Sequence, residues 1–447
     1  MKKNKYEIDM CNGTIMDKLI SFALPLMLSG MLQLMFNAVD IIVVGRFSGS
    51  RALAAVGSTT ALINVFTNLF IGISLGANVL AARFYAAGKE KEMSDTVHTA
   101  IAIAIISGLI MAFVGLVFSK GALELMDTPE DVIGQAALYM RIYFIGMPFF
   151  MLYNYGAAVL RAVGDTKRPL MFLIVSGCIN AVLNLILVIG FSLSVVGVAV
   201  ATVISQMISC ILVLRCLYKS EGSYQLRFSK LKINKKYMIQ IFQVGVPAGI
   251  QSTVINFSNV LLQSSVNSFG SVAMAGYTAA NNILGFLYQS INSVTQACMS
   301  FTSQNYGAGD FQRCKKVYRL CMIFSVIFCG LLSGVFVLGR DFFIRLYTTD
   351  PNVLTFAVQR LLIVTTLELL TSTYEISGGA MRGFGHSLTP ALITVVGSCV
   401  LRLIWINTVC RAVHEFWVVM IIYPISWVLT GTAMITAYLL LRRKLMR

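Results

Sequence analysis

Residues 169–214 read PLMFLIVSGCINAVLNLILVIGFSLSVVGVAVATVISQMISCILVL and contain no charged side chain. The run is far longer than the about 20 apolar residues that one helix needs to cross a bilayer. Small and polar residues at Gly190–Gly197 indicate a turn within it. We therefore predict two membrane-spanning helices here, at 168–190 and 195–218.

The same composition extends over the whole chain. Six further windows lack charge: 52–82, 96–119, 142–160, 237–309, 320–339 and 416–441. Of the 447 residues, 57% are apolar and 12% are charged, whereas roughly a quarter are charged in ordinary soluble proteins. A soluble chain of this length cannot bury so much apolar surface. The composition therefore excludes a soluble enzyme, a disordered chain and a nucleic-acid-binding protein.

These windows predict an all-α membrane protein with twelve spans. The predicted spans are 15–44, 52–80, 96–119, 134–160, 168–190, 195–218, 238–266, 273–300, 317–338, 353–379, 388–410 and 416–441. We expect an N-terminal six-helix lobe at 1–218, a cytoplasmic linker at 219–237 and a C-terminal six-helix lobe at 238–447.

The basic residues indicate the orientation. The net charge is +16, from 35 Lys and Arg against 19 Asp and Glu, and most of the basic residues fall at alternate loops and at the termini, including Lys2, Lys3 and Arg447. Because cytoplasmic loops are rich in Lys and Arg, we predict that both termini are cytoplasmic and that the surplus charge faces anionic lipid. Arg402 alone is expected well inside a span, and Arg360 falls with the outer loops and helix ends.

The chain resembles itself at an offset of 221 residues. Three motifs recur in one register: Gly49-Ser50-x-Ala52-Leu53-Ala54 as Gly270-Ser271-x-Ala273-Met274-Ala275, Tyr85-x-Ala87-Gly88 as Tyr306-x-Ala308-Gly309, and Arg161-x-x-Gly164-x-x-x-x-Pro169 as Arg382-x-x-Gly385-x-x-x-x-Pro390. Each half holds six predicted helices, so both enter the membrane in the same orientation. Transporters with parallel repeats of this kind bind substrate at the repeat interface.

Polar side chains fall at helical spacing within several apolar spans. In lipid, such groups turn toward protein or a water-filled cavity. Two interpretations remain open: hydrogen bonds between helices, worth about 0.6 kcal/mol each, or a hydrated cavity that binds substrate. The candidate cavity residues are Gln33, Asn64, Asn256, Asn259, Asn282, Gln289, Glu368 and Glu375.

Three acidic residues, Asp40, Glu368 and Glu375, fall within predicted spans. A charge at mid-bilayer costs about 2.5–3.5 kcal/mol on insertion scales, so each requires a reason. Asp40 is a candidate reversible proton carrier, and the alternative is a permanently hydrogen-bonded structural carboxylate. Glu375 has a simpler alternative, which is pairing with Arg382.

The cysteines and histidines suggest no metal site or cofactor. The ten cysteines are scattered without a CxxC pair, and the three histidines are far apart. Such spacing signals neither zinc nor a disulfide framework. We expect the cysteines to act as small apolar side chains.

Four motifs together resemble the multidrug and toxic compound extrusion (MATE) exporters, over about residues 15–440. They are Gln33-x-x-x-Asn37-x-x-Asp40, Tyr85-x-Ala87-Gly88, Arg161-x-x-Gly164-Asp165-x-x-x-Pro169 with its copy at Arg382, and Gly197-x-Ala199-x-Ala201-Thr202-x-x-Ser205-Gln206. The resemblance implies two six-helix lobes around a central cleft. It also implies alternating access that exports small cationic or amphipathic organic molecules in exchange for H⁺ or Na⁺.

The chain is similar to the DinF-like and MepA-like bacterial branch of this family. That resemblance implies a coupling site formed by Asp40 with Asn37, Tyr139, Asn180, Asn184 and Thr202. Asn184 stands where the DinF-like branch often has a second aspartate, which weakens the case for sodium. The NorM-like branch has a helix 7 glutamate in the stretch that here reads Ile255-Asn256, with no acid. The resemblance leaves Glu368 and Glu375 as alternative counterparts of the helix 10 carboxylate of that branch.

The resemblance further implies a monomer in the bacterial cytoplasmic membrane, in contact with lipid. Two other functions are alternatives to an exporter. A flippase for lipid-linked oligosaccharides, from the same superfamily, should place several arginines in its cavity, whereas only Arg402 is expected inside a span. A membrane-embedded enzyme needs a nucleophile and base or a metal set near the surface, and the sequence contains neither.

Overall fold

The computed structural model describes residues 5–126, 128–348 and 350–445. The predicted cytoplasmic ends, with Lys2, Lys3 and Arg447, lie outside the described residues. The chain is helical throughout the part that the structure describes, and no β-strand occurs there. The all-α fold class is therefore confirmed.

The chain forms two compact units. The first comprises the described residues up to Asp9 together with Leu24–Gly249, and the second comprises Met10–Ala23 together with the described residues from Ile250 onward. The first unit contains most of α1 (Met16–Phe47), the first part of α8 (Lys235–Asn267) and six helices between them. These six are α2 (Gly49–Ala86), α3 (Glu90–Glu124), α4 (Glu130–Ile145), α5 (Met147–Ala162), α6 (Lys167–Asn184) and α7 (Ser194–Lys219).

The second unit continues from α8 with nine further helices. They are α9 (Ser271–Gly307), α10 (Phe311–Leu338), α11 (Arg340–Arg345), α12 (Pro351–Val364), α13 (Thr371–Gly383), α14 (Leu388–Thr394), α15 (Leu401–Asn407), α16 (Val409–Ala412) and α17 (Phe416–Leu445). The start of α1 belongs here as well: Phe22 packs edge-on against Phe301 with ring centroids 5.7 Å apart.

Each predicted span corresponds to helical chain. Among the described residues, ten stretches are long and apolar enough to cross a membrane, and α4 with α5 forms an eleventh that is bent by 47°. The remaining predicted span, 273–300, lies in α9, a single helix of 37 residues. The protein is therefore a multi-pass membrane protein.

Four predicted helices are interrupted. The span predicted at 134–160 bends at Gly146, two residues before Pro148, which cannot donate a backbone hydrogen bond. Short π-helical stretches cover Leu185–Gly190 and Val395–Val400, and a 3₁₀-helical stretch covers Thr365–Leu370. Such irregular turns within longer helices are frequent at functional sites. Here each stretch lies beside, or includes, a buried polar residue of the sites described below.

The internal repeat is visible in the turns. The glycine that each repeated motif shares has a positive φ angle in both halves, a conformation that favours glycine. The three pairs are Gly49 (85°) with Gly270 (92°), Gly88 (66°) with Gly309 (79°), and Gly164 (92°) with Gly385 (86°). The repeated motifs therefore specify the same turns twice.

The predicted linker folds onto the first unit. Tyr224 and Leu226 are buried, and Tyr224 donates a hydrogen bond to Glu7 at 2.5 Å. The backbone N–H of Arg227 donates to His98 Nε2 at 3.0 Å. The boundaries predicted at 218 and 238 remain a proposal, whereas the compact units divide within α1 and α8.

Helices α2 and α8 pack through two glycine pairs within the first unit. Gly72 and Gly76 of α2 face Gly245 and Gly249 of α8, and a Cβ atom at Gly76 would lie 2.1 Å from the carbonyl oxygen of Ile241. Glycines four residues apart allow the backbones of membrane helices to approach closely. This contact fixes the first half of α8 against α2.

Candidate functional site

The first buried polar site surrounds Asp40 of α1, in the first unit. Asn184 Nδ2 donates to Asp40 Oδ1 at 2.5 Å, and the Thr202 hydroxyl is also within hydrogen-bonding reach of the carboxylate. Asn184 is the last residue of α6, and the π-helical stretch begins directly after it. Asn184 of α6 and Thr202 of α7, two of the residues that the family resemblance implied, therefore lie next to Asp40, and their role in ion coupling stays a prediction.

Asn180 extends the site by one helical turn. Asn184 Nδ2 donates to Asn180 Oδ1 at 3.1 Å, and Asn180 Nδ2 donates to Thr202 Oγ1 at 3.5 Å. Residues four apart lie on the same face of a helix, so α6 presents both amides together. Thr202 in turn donates to the carbonyl oxygen of Val198 at 2.9 Å.

Among the described residues, no basic side chain forms an ion pair with Asp40. The ion pairs of this part of the chain include Arg51–Asp131, Lys120–Glu124 and Arg168–Asp165. Asn184 Oδ1 is buried and accepts no hydrogen bond from the described residues. Carboxylate, amide and hydroxyl oxygens are the ligands of hard cations, and a carboxylate also binds a proton. The site can therefore hold H⁺ or Na⁺.

Two tyrosines of α4 border this site. Tyr139 is buried, and its ring centroid lies 6.2 Å from that of Tyr143. Both are close enough to Asp40 to interact with it electrostatically. Asn37 is exposed on α1, and it is not part of the chain of hydrogen bonds that joins Asp40, Asn184, Asn180 and Thr202.

The second buried polar site lies in the second unit and contains two arginines. Arg360 of α12 is 1% exposed and Arg402 of α15 is 5% exposed. Arg360 Nη2 donates to Asn281 Oδ1 at 2.9 Å, and Arg402 Nη1 donates to Asn259 Oδ1 at 3.4 Å. The sequence grouping of Arg360 with the outer loops and helix ends is wrong, because α12 begins at Pro351 and carries Arg360 into the protein interior.

Aromatic rings cover both guanidinium groups. Arg360 lies 3.5 Å from the ring centroid of Tyr277 and 5.3 Å from that of Tyr423. Arg402 lies 4.6 Å from the Tyr423 ring. The two tyrosine hydroxyls are 3.0 Å apart. Such contacts stabilise a buried cation through the negative face of the ring.

Sequence and fold comparisons identify the family. The MatE family profile matches residues 25–186 and 247–408, one segment in each half. The chain belongs to the MatE family. The predicted relationship to MATE exporters is therefore confirmed, and the two matched segments fit the predicted six-helix halves.

Several proteins are similar to this MatE chain along most of its length. The probable multidrug resistance protein YoeA of Bacillus subtilis is 33% identical over 84% of this chain and 82% of its own. The multidrug export protein MepA of Staphylococcus aureus is 22% identical over 86% of this chain and 85% of its own.

Solved structures confirm the fold. An outward-facing multidrug resistance MATE family transporter of the MOP superfamily has a TM-score of 0.89 at 19% identity, over 99% of this chain and 98% of that chain. A MOP superfamily transporter from Pyrococcus furiosus has a TM-score of 0.92 at 18% identity, over 100% of both chains. At such low identity, the likeness concerns the fold alone.

The remaining candidate residues of this MatE chain are not gathered into one hydrogen-bonded group. Gln33, Asn64, Asn259 and Asn282 are exposed, whereas Asn256 and Gln289 are half-buried. Among the described residues, no hydrogen bond joins the side chains of these six. Their role in a substrate cavity stays a prediction.

The two predicted acids of the second unit are buried in different surroundings. Glu368 lies in the 3₁₀-helical stretch between α12 and α13 and is close enough to Arg360 and Arg402 to interact electrostatically with both. Glu375 of α13 is 8% exposed. It interacts electrostatically with Arg382 without a contact within 4.0 Å, and Arg382 Nη2 donates to Gln251 Oε1 at 2.7 Å.

We also looked for clusters of metal-ligating side chains. Among the described residues, no group of three or more His, Cys, Asp or Glu side chains lies close enough together to hold a metal ion. Seven of the ten cysteines are buried.

Proposed function

We propose that this protein is a secondary active multidrug exporter. It moves small cationic or amphipathic organic molecules out of the cell by alternating access, in exchange for H⁺ or Na⁺. Membership of the MatE family supports transport, and the names of similar proteins, a multidrug resistance protein and a multidrug export protein, support the substrate class.

The single observation that carries the coupling mechanism is the environment of Asp40. Its carboxylate is held by the Asn184 amide and has no basic partner among the described residues. An uncompensated charge within a membrane protein is costly, so a bound H⁺ or Na⁺ stabilises the site. A coupling ion drives transport only through a difference in its affinity for two conformations. Movement of α1 relative to α6 and α7 would change the oxygen ligands around Asp40 and so provide that difference.

The proposed setting is the bacterial cytoplasmic membrane, with both termini in the cytoplasm and the protein acting as a monomer. The distribution of basic residues supports this orientation. Asn37, Tyr139 and the candidate cavity residues remain part of the proposal.

The test measures uphill export of a fluorescent organic cation from proteoliposomes, first under a pH gradient and then under a sodium gradient. Asp40→Asn should abolish gradient-driven transport, since it removes the one carboxylate that the described residues place at the site. Asp131→Asn is the matched control, because Asp131 is exposed and pairs with Arg51 at the surface. If Asp40→Asn exports at the parental rate, Asp40 is not the coupling residue.

The lipid-linked oligosaccharide flippase is the second candidate, and one observation favours it. The sequence speaks against a flippase because only Arg402 is expected well inside a span, whereas the structure buries a second arginine, Arg360. The same vesicles therefore include a fluorescent lipid-linked sugar phosphate. Its translocation, without export of the organic cation, would favour the flippase.

A further inference from the structure

The buried arginines of the second unit carry more positive charge than their surroundings neutralise. Arg360 and Arg402 are buried, and Glu368 is the single acid that interacts electrostatically with both. In the part of the chain that the structure describes, no carboxylate lies within 4.0 Å of either guanidinium. Two cations therefore face at most one negative charge.

The hydrogen bonds of Arg360 are also incomplete. Nη1 donates to the sulfur of Met420 at 3.5 Å, a weak acceptor, and Nη2 donates to Asn281. Nε is buried and has no hydrogen-bond partner among the described residues. An uncompensated buried charge is strongly destabilising, whereas a bound anion with hydrogen-bonding oxygens offsets that cost.

An anion can reach this cluster through exposed amides. Asn281 of α9 and Asn259 of α8 are both exposed, and each binds one of the two guanidinium groups. Within membrane spans, exposed polar groups face water-filled space or protein rather than lipid. An incoming carboxylate or phosphate could therefore replace the neutral amide oxygens with charged ones, which form stronger hydrogen bonds with arginine.

We infer that Arg360 and Arg402, with Asn259, Asn281, Tyr277 and Tyr423, form a binding site for the carboxylate or phosphate group of an amphipathic molecule. Arginine presents a planar set of donors that matches both groups. The tyrosine rings keep the guanidinium planes in place and add an apolar surface for the rest of the molecule. The inference rests on the proposed function for its role: the transported molecules would include zwitterions, whose anionic end binds in the second unit.

Binding to the purified full-length protein in detergent tests this inference. The probes are a rhodamine dye with a free benzoate and its methyl ester, which differ in the negative charge and in one methyl group. The wild-type protein should bind the acid more tightly than the ester, as measured by fluorescence anisotropy.

Three variants assign the preference to the cluster. Asn281→Asp places a permanent carboxylate against Arg360 and should weaken binding of the acid about tenfold or more, with little effect on the ester. Asn281→Ala removes the competing amide and should keep or increase the preference for the acid. Asn267→Asp is the control, because it makes the same chemical change at an exposed residue of α8 that binds Gln263 instead of an arginine.

Lipid competition identifies the source of the anion. If a lipid headgroup occupies the site, nanodiscs that contain phosphatidylcholine and phosphatidylglycerol should displace the free-benzoate dye from the protein. Nanodiscs of phosphatidylcholine without phosphatidylglycerol should not displace it. Absence of displacement by either assigns the site to a small zwitterionic molecule. The inference is overturned if wild-type protein binds acid and ester equally, or if Asn281→Asp keeps the preference for the acid.

The Asp40→Asn variant separates this inference from the proposed function. It lies in the first unit, so it should retain the preference for the acid while losing ion-driven export. Retained preference with undiminished export would overturn the coupling proposal alone. Equal binding of the two dyes with export abolished would overturn the anion site alone.

Discussion

Asn184 Nδ2 donates to Asp40 Oδ1 at 2.5 Å, so a neutral amide stands next to the carboxylate of α1. The same Asn184 side chain retains a buried carbonyl oxygen without a partner among the described residues. A single carboxylate with neutral oxygen ligands favours a proton or a weakly held sodium ion, since cation affinity rises with the charge of the ligands.

Adding a second carboxylate should favour sodium. Asn184→Asp would double the negative charge around the site. We expect the sodium affinity of the variant to be at least about tenfold higher than that of the wild-type protein. The measurement is the increase in unfolding temperature with sodium concentration, using potassium to keep the ionic strength constant. Asn267→Asp is the control, since Asn267 of α8 is exposed and is not part of the proposed coupling site. Equal sodium dependence in Asn184→Asp and wild type would contradict the assigned geometry.

The close contact between α2 and α8 should be intolerant of a methyl group. Gly76→Ala places a Cβ atom 2.1 Å from the carbonyl oxygen of Ile241, so α8 must move. We expect a loss of about 1–3 kcal/mol in the free energy of unfolding, as for other overpacked sites. Thermal unfolding in detergent measures it. Gly57→Ala, where nothing lies within 4 Å, should unfold at the wild-type temperature or slightly above, and an equally stable Gly76→Ala would refute the contact.

The docked linker should respond to alkaline pH. Burial, and then the hydrogen bond to Glu7, raise the pKa of Tyr224 from 10.0 to about 12. Because the folded state holds this proton more tightly than the unfolded linker, docking is fully stable below pH 10.0 and weakens as the pH rises through about 12. NMR of ¹³Cζ-labelled tyrosine follows the ionisation, with Tyr224→Phe to assign the signal. Glu7→Gln should lower this pKa, and an unchanged value would show that Glu7 has no influence.

The stability of the protein should depend on the amide oxygen of Gln251 that accepts a hydrogen bond from buried Arg382. Gln251→Leu removes the acceptor of the 2.7 Å hydrogen bond and leaves a charged donor without it. We expect a destabilisation of about 1.5–3 kcal/mol, typical of hydrogen bonds to charged groups. Gln251→Glu should preserve stability because it supplies a carboxylate. The exposed Gln243 of α8 gives the matched control, Gln243→Leu, and unfolding temperatures that match in all variants would show that the bond is unimportant.

Features that depend on local spacing could be predicted from the sequence. Uncharged windows located the spans, because a helix in lipid has to be apolar over its whole length. The four-residue spacing of Asn180 and Asn184 placed both amides on one face of α6, and their position opposite Asp40 followed from family resemblance. The repeated glycines were found as a motif, and their positive φ angles explain why glycine recurs there.

Features that depend on tertiary packing could not be predicted. The sequence groups Arg360 with the outer loops and helix ends, because a count of charges does not show whether a side chain near the start of a helix is buried. Its burial requires Tyr277, Tyr423 and Asn281, which come from distant parts of the chain. The linker seemed merely polar by composition, although Tyr224 and Leu226 alternate with polar residues and are buried. Pro148 could have indicated the bend at Gly146, but the uncharged window 142–160 runs through both residues and suggests one continuous helix.

The packed linker also offers an experimental handle. The hydrogen bonds of Tyr224 and Arg227 hold the segment to the rest of the first unit, whereas the adjacent Glu221 and Gly222 are exposed. A rigid binding protein or epitope inserted here would be held in a nearly fixed position relative to the first unit. The site is therefore a suitable fiducial for electron microscopy of this small membrane protein.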